Sequence, residues 1–416
     1  MRGVQLLLPL FFTLWIAGLT AQAVEWAGYG ITCSTNGDTT EATISAPGPF
    51  LSGQSTILTT FDLNFSDNVP PEAEAAMRFA ADIWGSYLDS EVPIRVDIDW
   101  RDEGDERLLA SAGPGTIFRS FSTTIDPDIW YPVALAEAIV GEELNEPDEP
   151  DINVVVNSTA NWNFDFNGRV PRNRIDLATV ILHELGHGLG FLSSIDSISD
   201  TTVSIGFDNR FIVYDLFLET PPGLELTDAV RFPSPSTALL GAVIERLDFS
   251  GDSAVSRNGG ELVPLFAPET FDVGSSVSHL DERAYRGGTE NALMTPSIAN
   301  GEAVRDPGPI SLGVLADLGW PLRFDLGLPV ASREVAVGEL ALFPNPAREW
   351  FTIVVPDLAA SAVAVLYAAD GREVRRQSVS PGGTQVDFPV AGLAPGLYTV
   401  ILREERRLYS GRIVLR

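Results

Sequence analysis

The chain contains no lysine: its 27 basic residues are all arginine, set against 57 acidic residues for a formal net charge of −30. Such a surface repels nucleic acid and anionic membranes, so neither is expected as a partner, and the acidity reads as solubility, not as a binding site. Cysteine is nearly absent too, and with Cys33 alone no intrachain disulfide can form. Stability must come from packing or from bound ions. Histidine is limited to His183, His187 and His279. Past the N-terminus no apolar stretch is long enough to span a bilayer, and there is no internal repeat. A structural calcium ion has no support, because no contiguous EF-hand spacing occurs.

What is present fits a globular protein of 416 residues, 45% hydrophobic and 20% charged, with one large domain and a smaller one. Residues 1–23 read as a secretory signal: Arg2, an apolar core from Leu6 to Leu19, then Ala21-Gln22-Ala23 as a small-residue cleavage site. The mature chain would start near Val24. Cys33 then lies close to the mature N-terminus, where it is either an inert thiol or a zinc-capping switch that keeps a zymogen silent.

Alternation from Ser55 to Phe65 and from Val92 to Trp100 predicts strands, and Pro71 to Leu88 predicts an amphipathic helix started by proline. The apolar run Ile152 to Val156 suits a sheet strand. Asp176 can cap a helix over Leu177 to Leu189, with Gly188 and Gly190 as its stop. Residues 195–275 carry short strand-like runs and turn signals, so they read as a loop-rich subdomain, and Leu312 to Trp320 suggests a closing helix. Residues 329–340 read as a linker. Beyond it, alternating runs at Phe351 to Val355, Ala362 to Tyr367, Thr384 to Phe388, Tyr398 to Leu402 and Gly411 to Leu415 predict a small β-sandwich, with turns at Asp370-Gly371 and Pro381-Gly382-Gly383.

The chemistry concentrates in His183-Glu184-Leu185-Gly186-His187. Helical positions four apart lie about 40° apart around the axis and about 6 Å along it, so His183 and His187 leave one face on successive turns. Two imidazoles so placed can share one tetrahedral zinc ion. Glu184 can reach a water on that ion without ligating it, take its proton, and pass it to a leaving amine. Zinc in catalytic sites usually takes three protein ligands, and His279 is the remaining histidine and the leading third ligand. Asp196, Asp208 and Glu219 are the carboxylate alternatives. Tyr285, shortly after His279, is a weak candidate for an oxyanion donor.

The segment His183-Glu184-x-x-His187-x-x-Gly190-Phe191 resembles the metzincin helix with its terminating glycine, but position 193 is serine where most metzincins place the third histidine. That departure sets aside the compact astacin and matrix-metalloproteinase pattern. Ser278-His279 followed by Asn291-Ala292-Leu293-Met294 is similar to the leishmanolysin-like branch, where a long insertion delays the third histidine and a methionine turn floors the metal. The resemblance covers roughly residues 50–322. It implies an α+β fold, with a mixed sheet and active-site helix above an irregular lower subdomain, as the zinc metallopeptidase domain of residues 24–328. It also implies a secreted zinc endopeptidase cutting protein or peptide substrates, bound by strand addition along the sheet's edge strand, for which Ile152 to Val156 is the candidate. The cysteines that staple leishmanolysin itself are absent. The alternative is a catalytically inactive surface adhesion or binding protein on the same fold.

Residues 341–416 carry Leu342-Phe343-Pro344-Asn345-Pro346-Ala347, Asp370-Gly371-Arg372-Glu373-Val374 and Leu393-Ala394-Pro395-Gly396-Leu397-Tyr398. In that order and position they resemble the type IX secretion sorting domain of Bacteroidota-type bacteria. The resemblance implies type IX machinery as a partner, no stable membrane insertion after signal removal, and a released or outer-surface-attached product. A carbohydrate-binding or fibronectin-like module is the rival reading of this sandwich.

Overall fold

The computed structural model describes residues 12–416 apart from 17–18, 27–29, 209, 222, 324–335, 356–361, 369–372, 380–384 and 405–406. The start of the signal stretch, much of the linker and the turns at Asp370-Gly371 and Pro381-Gly382-Gly383 lie outside the described residues. Two compact units divide at Leu328 and Pro329. No helix among the described residues is long and apolar enough to cross a membrane.

The first unit is built on a mixed six-stranded sheet. Its strands are β1 (Ile31–Thr39), β2 (Phe61–Phe65), β3 (Ile94–Arg101), β4 (Leu108–Pro114), β5 (Ile152–Asn157) and β6 (Ser297–Asn300), in the order β6-β1-β4-β5-β3-β2. Alternation explains β3: Ile94, Val96, Ile98 and Trp100 are all buried, while the residues between them are more open. Strands β2, β3 and β5 run parallel, as helical crossovers require, and β4 lies antiparallel to β5. Neither β1 nor β4 stands out in the sequence, because Ile31–Thr39 is rich in threonine and serine and Leu108–Pro114 is small and mixed. The strand expected from Ser55 starts only at Phe61.

Three helices pack on this sheet or close the unit: α1 (Pro71–Tyr87), α2 (Leu177–Gly188) and α3 (Gly308–Leu318). Every residue of α2 is buried, so its position is set by what touches it. Two close approaches depend on missing side chains. A Cβ on Gly188 would fall 2.3 Å from the Ile152 side chain on β5, and one on Gly186 would fall 2.8 Å from the Met294 sulfur. The indoles of Trp84 and Trp320 donate to the carbonyls of Leu182 and Leu189 at 2.8 and 2.7 Å, tying the helix on two sides.

Both helix ends are closed by specific chemistry. At the N-terminus the Asp176 carboxylate accepts from the backbone amide of Thr179 and from its hydroxyl, at 3.3 and 2.7 Å. Buried Arg305 forks onto both oxygens of the same carboxylate at 2.8 and 2.9 Å. At the C-terminus Gly190 takes φ +114°, and the amides of Gly190 and Phe191 return to the carbonyls of His187 and Gly186. That turn needs glycine, and it folds Phe191 back against the helix.

The second unit stacks two sheets across one core. Ala336–Glu339, Arg407–Leu415, Gly396–Glu404, Ala362–Tyr367 and Glu373–Val379 form one; Leu342–Phe343, Trp350–Val354 and Gln385–Pro389 form the other. Phe351, Ile353 and Phe388 from the smaller sheet meet Leu366, Val400 and Ile413 from the larger. The arrangement is a β-sandwich, with Glu373–Val379 a strand that the sequence pattern did not reveal.

Replacing Arg305 by alanine strands the Asp176 charge in a dry interior and should cost about 3–5 kcal/mol, as breaking a buried pair generally does. A urea midpoint that moves by less than the equivalent of about 1 kcal/mol would mean the pair does not anchor α2.

Candidate metal centre

Three histidines meet at one point. The Nε2 atoms of His183 and His187 lie 2.9 Å apart, and each is 3.2 Å from Nε2 of His279. All three rings are buried. The first two leave α2 on successive turns, and the third arrives from the Ser276–Asp281 loop, far along the chain.

Hydrogen bonding on the opposite side of each ring fixes the tautomers. His183 Nδ1 faces the Leu293 carbonyl at 2.6 Å, His187 Nδ1 the Phe191 carbonyl at 2.7 Å, and His279 Nδ1 the Ser275 carbonyl at 2.7 Å. A carbonyl oxygen only accepts, so each Nδ1 must carry the proton. Each neutral ring therefore turns an Nε2 lone pair toward the other two. Burial holds His183 down to about 4, and keeps His187 and His279 well below the usual imidazole range, aided at both by neighbouring histidine charge. Three lone pairs in contact repel unless a cation lies among them. Tetrahedral zinc with Zn–N bonds of about 2.0–2.1 Å needs N···N separations of roughly 3.3 Å, so the donor set fits that ion closely.

Glu184 follows His183 and is completely buried, yet neither carboxylate oxygen has a hydrogen-bond partner. Burial pushes its carboxyl well up, offset in part by the nearby backbone amide of Cys33, which does not align as a full hydrogen bond. An unpaired buried acid destabilises a fold.

The remaining sequence candidates lie elsewhere. Among the described residues, Asp196, Asp208 and Glu219 do not join the histidine group. Asp196 accepts from the amide of Ser197, Asp208 pairs with Arg210, and Glu219 sits beside Asp248. Tyr285 is occupied differently: its hydroxyl donates to Asn258 at 3.0 Å, with Asp248 and Asp281 as its charged neighbours. Met294 packs under Gly186, and its carbonyl accepts from Leu280, the residue after His279. Ile152–Asn157 cannot serve as a substrate-binding edge, because β5 is paired on both sides, by β3 and β4. Its apolar residues Ile152, Val154 and Val156 are all buried, while Asn153 between them is exposed.

The strand nearer the histidines is β4, and its outer edge is taken by β1, antiparallel, with Cys33 opposite Ala110. Cys33 is buried, and its sulfur lies within 4.8 Å of ligand atoms of His183 and Glu184. It does not share a coordination group with His187 and His279. Burial pushes the thiol well up, with the Glu184 charge adding to the effect. Cys33, His183 and Glu184 thus form a second close group of ligand atoms that shares His183 with the histidine trio.

The loop that delivers His279 is strained and braced. Val277 adopts φ +72°, a conformation that costs a β-branched residue about 1–3 kcal/mol. Its carbonyl accepts from the Tyr214 hydroxyl at 3.1 Å. Ser193 donates its amide to the Ser278 hydroxyl at 3.0 Å and its hydroxyl to Asp215 at 2.6 Å. Tyr214 and Asp215 had no signal in the sequence, since a buried tyrosine or aspartate in a loop-rich stretch looks like any other; Ser278 was marked only as the neighbour of His279.

Residues 341–416 match the family described as Secretion system C-terminal sorting domain, and residues 52–206 match a family described as SPBPB7E8-like, which names no activity. Comparison with curated proteins finds no match. The C-terminal match makes the second unit a type IX sorting tail. It implies a secreted or outer-surface protein of a Bacteroidota-type bacterium, with the type IX secretion machinery as a partner.

Metal analysis of the purified chain should find about one zinc per molecule. His279→Ala should weaken zinc binding on the order of 100-fold or more, if the roughly 10–16 kcal/mol of a structural zinc site is shared among about four ligands. Unchanged stoichiometry and affinity in His279→Ala would remove the third histidine from the ligand set.

Proposed function

We propose that the first unit is a zinc-dependent endopeptidase, similar to the leishmanolysin-like metzincins, and that the sorting tail delivers it outside the cell. The observation that carries this reading is the convergence of three unprotonated Nε2 atoms beside an unpartnered, buried Glu184. Zinc held by His183, His187 and His279 would supply Lewis acidity toward the scissile carbonyl and the attacking water. The carbonyls of Leu293, Phe191 and Ser275 keep the three rings in the ligating tautomer and orientation. Glu184 accepts a proton from the attacking water and returns it to the amine nitrogen as the peptide bond breaks. A binding module has no use for such an acid, which disfavours the reading of an inactive adhesion protein.

The site as described is closed, since His183 is 2% exposed and Glu184, His187 and His279 are 0% exposed. Substrate reaches it when β1 leaves its place between β4 and β6. A peptide can then pair there in β1's place, which moves the role expected of Ile152–Val156 to Leu108–Pro114. One fact supports this: residues 36–39 at the end of β1 are exposed.

Glu184→Gln should retain zinc and lose at least about 100-fold in cleavage of a generic unfolded protein, in line with the contribution of a general base. Chelator should silence the wild type. Equal turnover by wild type and Glu184→Gln would sink the mechanism, and turnover by neither, after nicking, would favour a binding protein. Nicking within residues 36–39 should raise activity, whereas Cys33→Ser alone should leave the intact chain silent. A fully active intact chain would show that β1 does not gate access.

A further inference from the structure

The geometry points to Tyr214 as a positioning residue for the metal centre: its hydroxyl holds the Val277 backbone in the left-handed conformation that presents His279 to the other two histidines. This rests on reading the three histidines as a metal site, a reading that zinc binding by the wild type tests separately.

The argument starts from the unusual backbone. A valine at φ +72° relaxes toward negative φ unless its surroundings prevent it. Val277 lies two residues before His279, so such a relaxation would swing the imidazole out of line. Several contacts oppose it. The Val277 amide donates to the Phe266 carbonyl and the Phe266 amide to the His279 carbonyl, both at 2.8 Å, which pins the loop from one side. From the other side comes the Tyr214 hydroxyl, buried and aimed at the Val277 carbonyl at 3.1 Å. Asp215, the next residue, accepts from Ser193, whose amide in turn donates to Ser278. One short helical turn, Val213–Phe217, thus grips both Val277 and Ser278.

Tyr214 suits this task because its ring is fixed independently of its hydroxyl. The ring packs against Phe191 and Phe249 with centroids 5.5 and 5.2 Å apart. Phe191 also supplies the carbonyl that orients His187. The same aromatic stack therefore bears on two of the three candidate ligands.

The test titrates the metal-free full chain with zinc and with cobalt(II), reading affinity by competition and the cobalt geometry by its visible absorption. Tyr214→Phe keeps the ring and removes only the hydroxyl. It should weaken both metals by roughly 10–100-fold, the usual cost of losing an outer partner of a metal ligand, and should alter the cobalt spectrum. Adding Val277→Gly, which accepts positive φ without strain, should restore most of the affinity to the Tyr214→Phe chain. A Tyr214→Phe protein that binds both metals within about twofold of wild type, with an unchanged spectrum, overturns the inference, and so does equal weakening with and without Val277→Gly. If the double variant does not fold, the single variant decides. A wild type that binds neither metal overturns the metal reading itself and this inference with it.

Discussion

The structure depends on the convergence of three imidazole lone pairs. Three imidazole nitrogens are held within 2.9–3.2 Å of one another, each with its lone pair inward, because each ring gives its only proton to a backbone carbonyl behind it. Three separate pieces of chain supply those carbonyls: the turn after α2, the stretch just before the histidine loop closes, and the Leu293-Met294 segment. Nothing in the histidines themselves favours that approach.

The scaffold is organised to hold this convergence. The α2 helix is fixed at its start by the buried Asp176–Arg305 pair, at its end by Gly190, and along its length by glycines that let β5 and Met294 come close. His279 comes from a loop with little regular structure, so its position is secured by strain and bracing instead. The helix gives rigidity to two candidate ligands cheaply; the third needs a dedicated network. Beside the site runs β1, held between β4 and β6, with Cys33 against His183 and Glu184.

Much of the first unit's frame was legible in the sequence because its signals are local. Alternation marked β3, proline and an alanine-rich apolar face marked α1, and Asp176 with the paired glycines marked the two ends of α2. The histidine run showed its own geometry, since helical spacing alone puts His183 and His187 on one face. By contrast, β1 is broken by Asn36, Gly37 and Asp38 and β4 is built of small residues, so neither shows a clear period and both become strands through their neighbours in the sheet. Taking β5 for an edge strand was an error of the same origin. Apolar character reports burial, but a strand's neighbours in the sheet are decided by the whole topology.

By itself the sequence determined a chain with one histidine-bearing helix, one free thiol and a terminal sandwich of a recognisable sorting type, because each is written in contiguous residues. Tertiary structure alone decided that His279 joins the helix pair while Asp196, Asp208, Glu219 and Tyr285 do not. It alone set Cys33 against His183 and Glu184, and gave the outer edge of β4 to β1. The reason is physical: spacing along a helix is fixed by the backbone, whereas the meeting of distant segments depends on packing and hydrogen bonding across the whole unit.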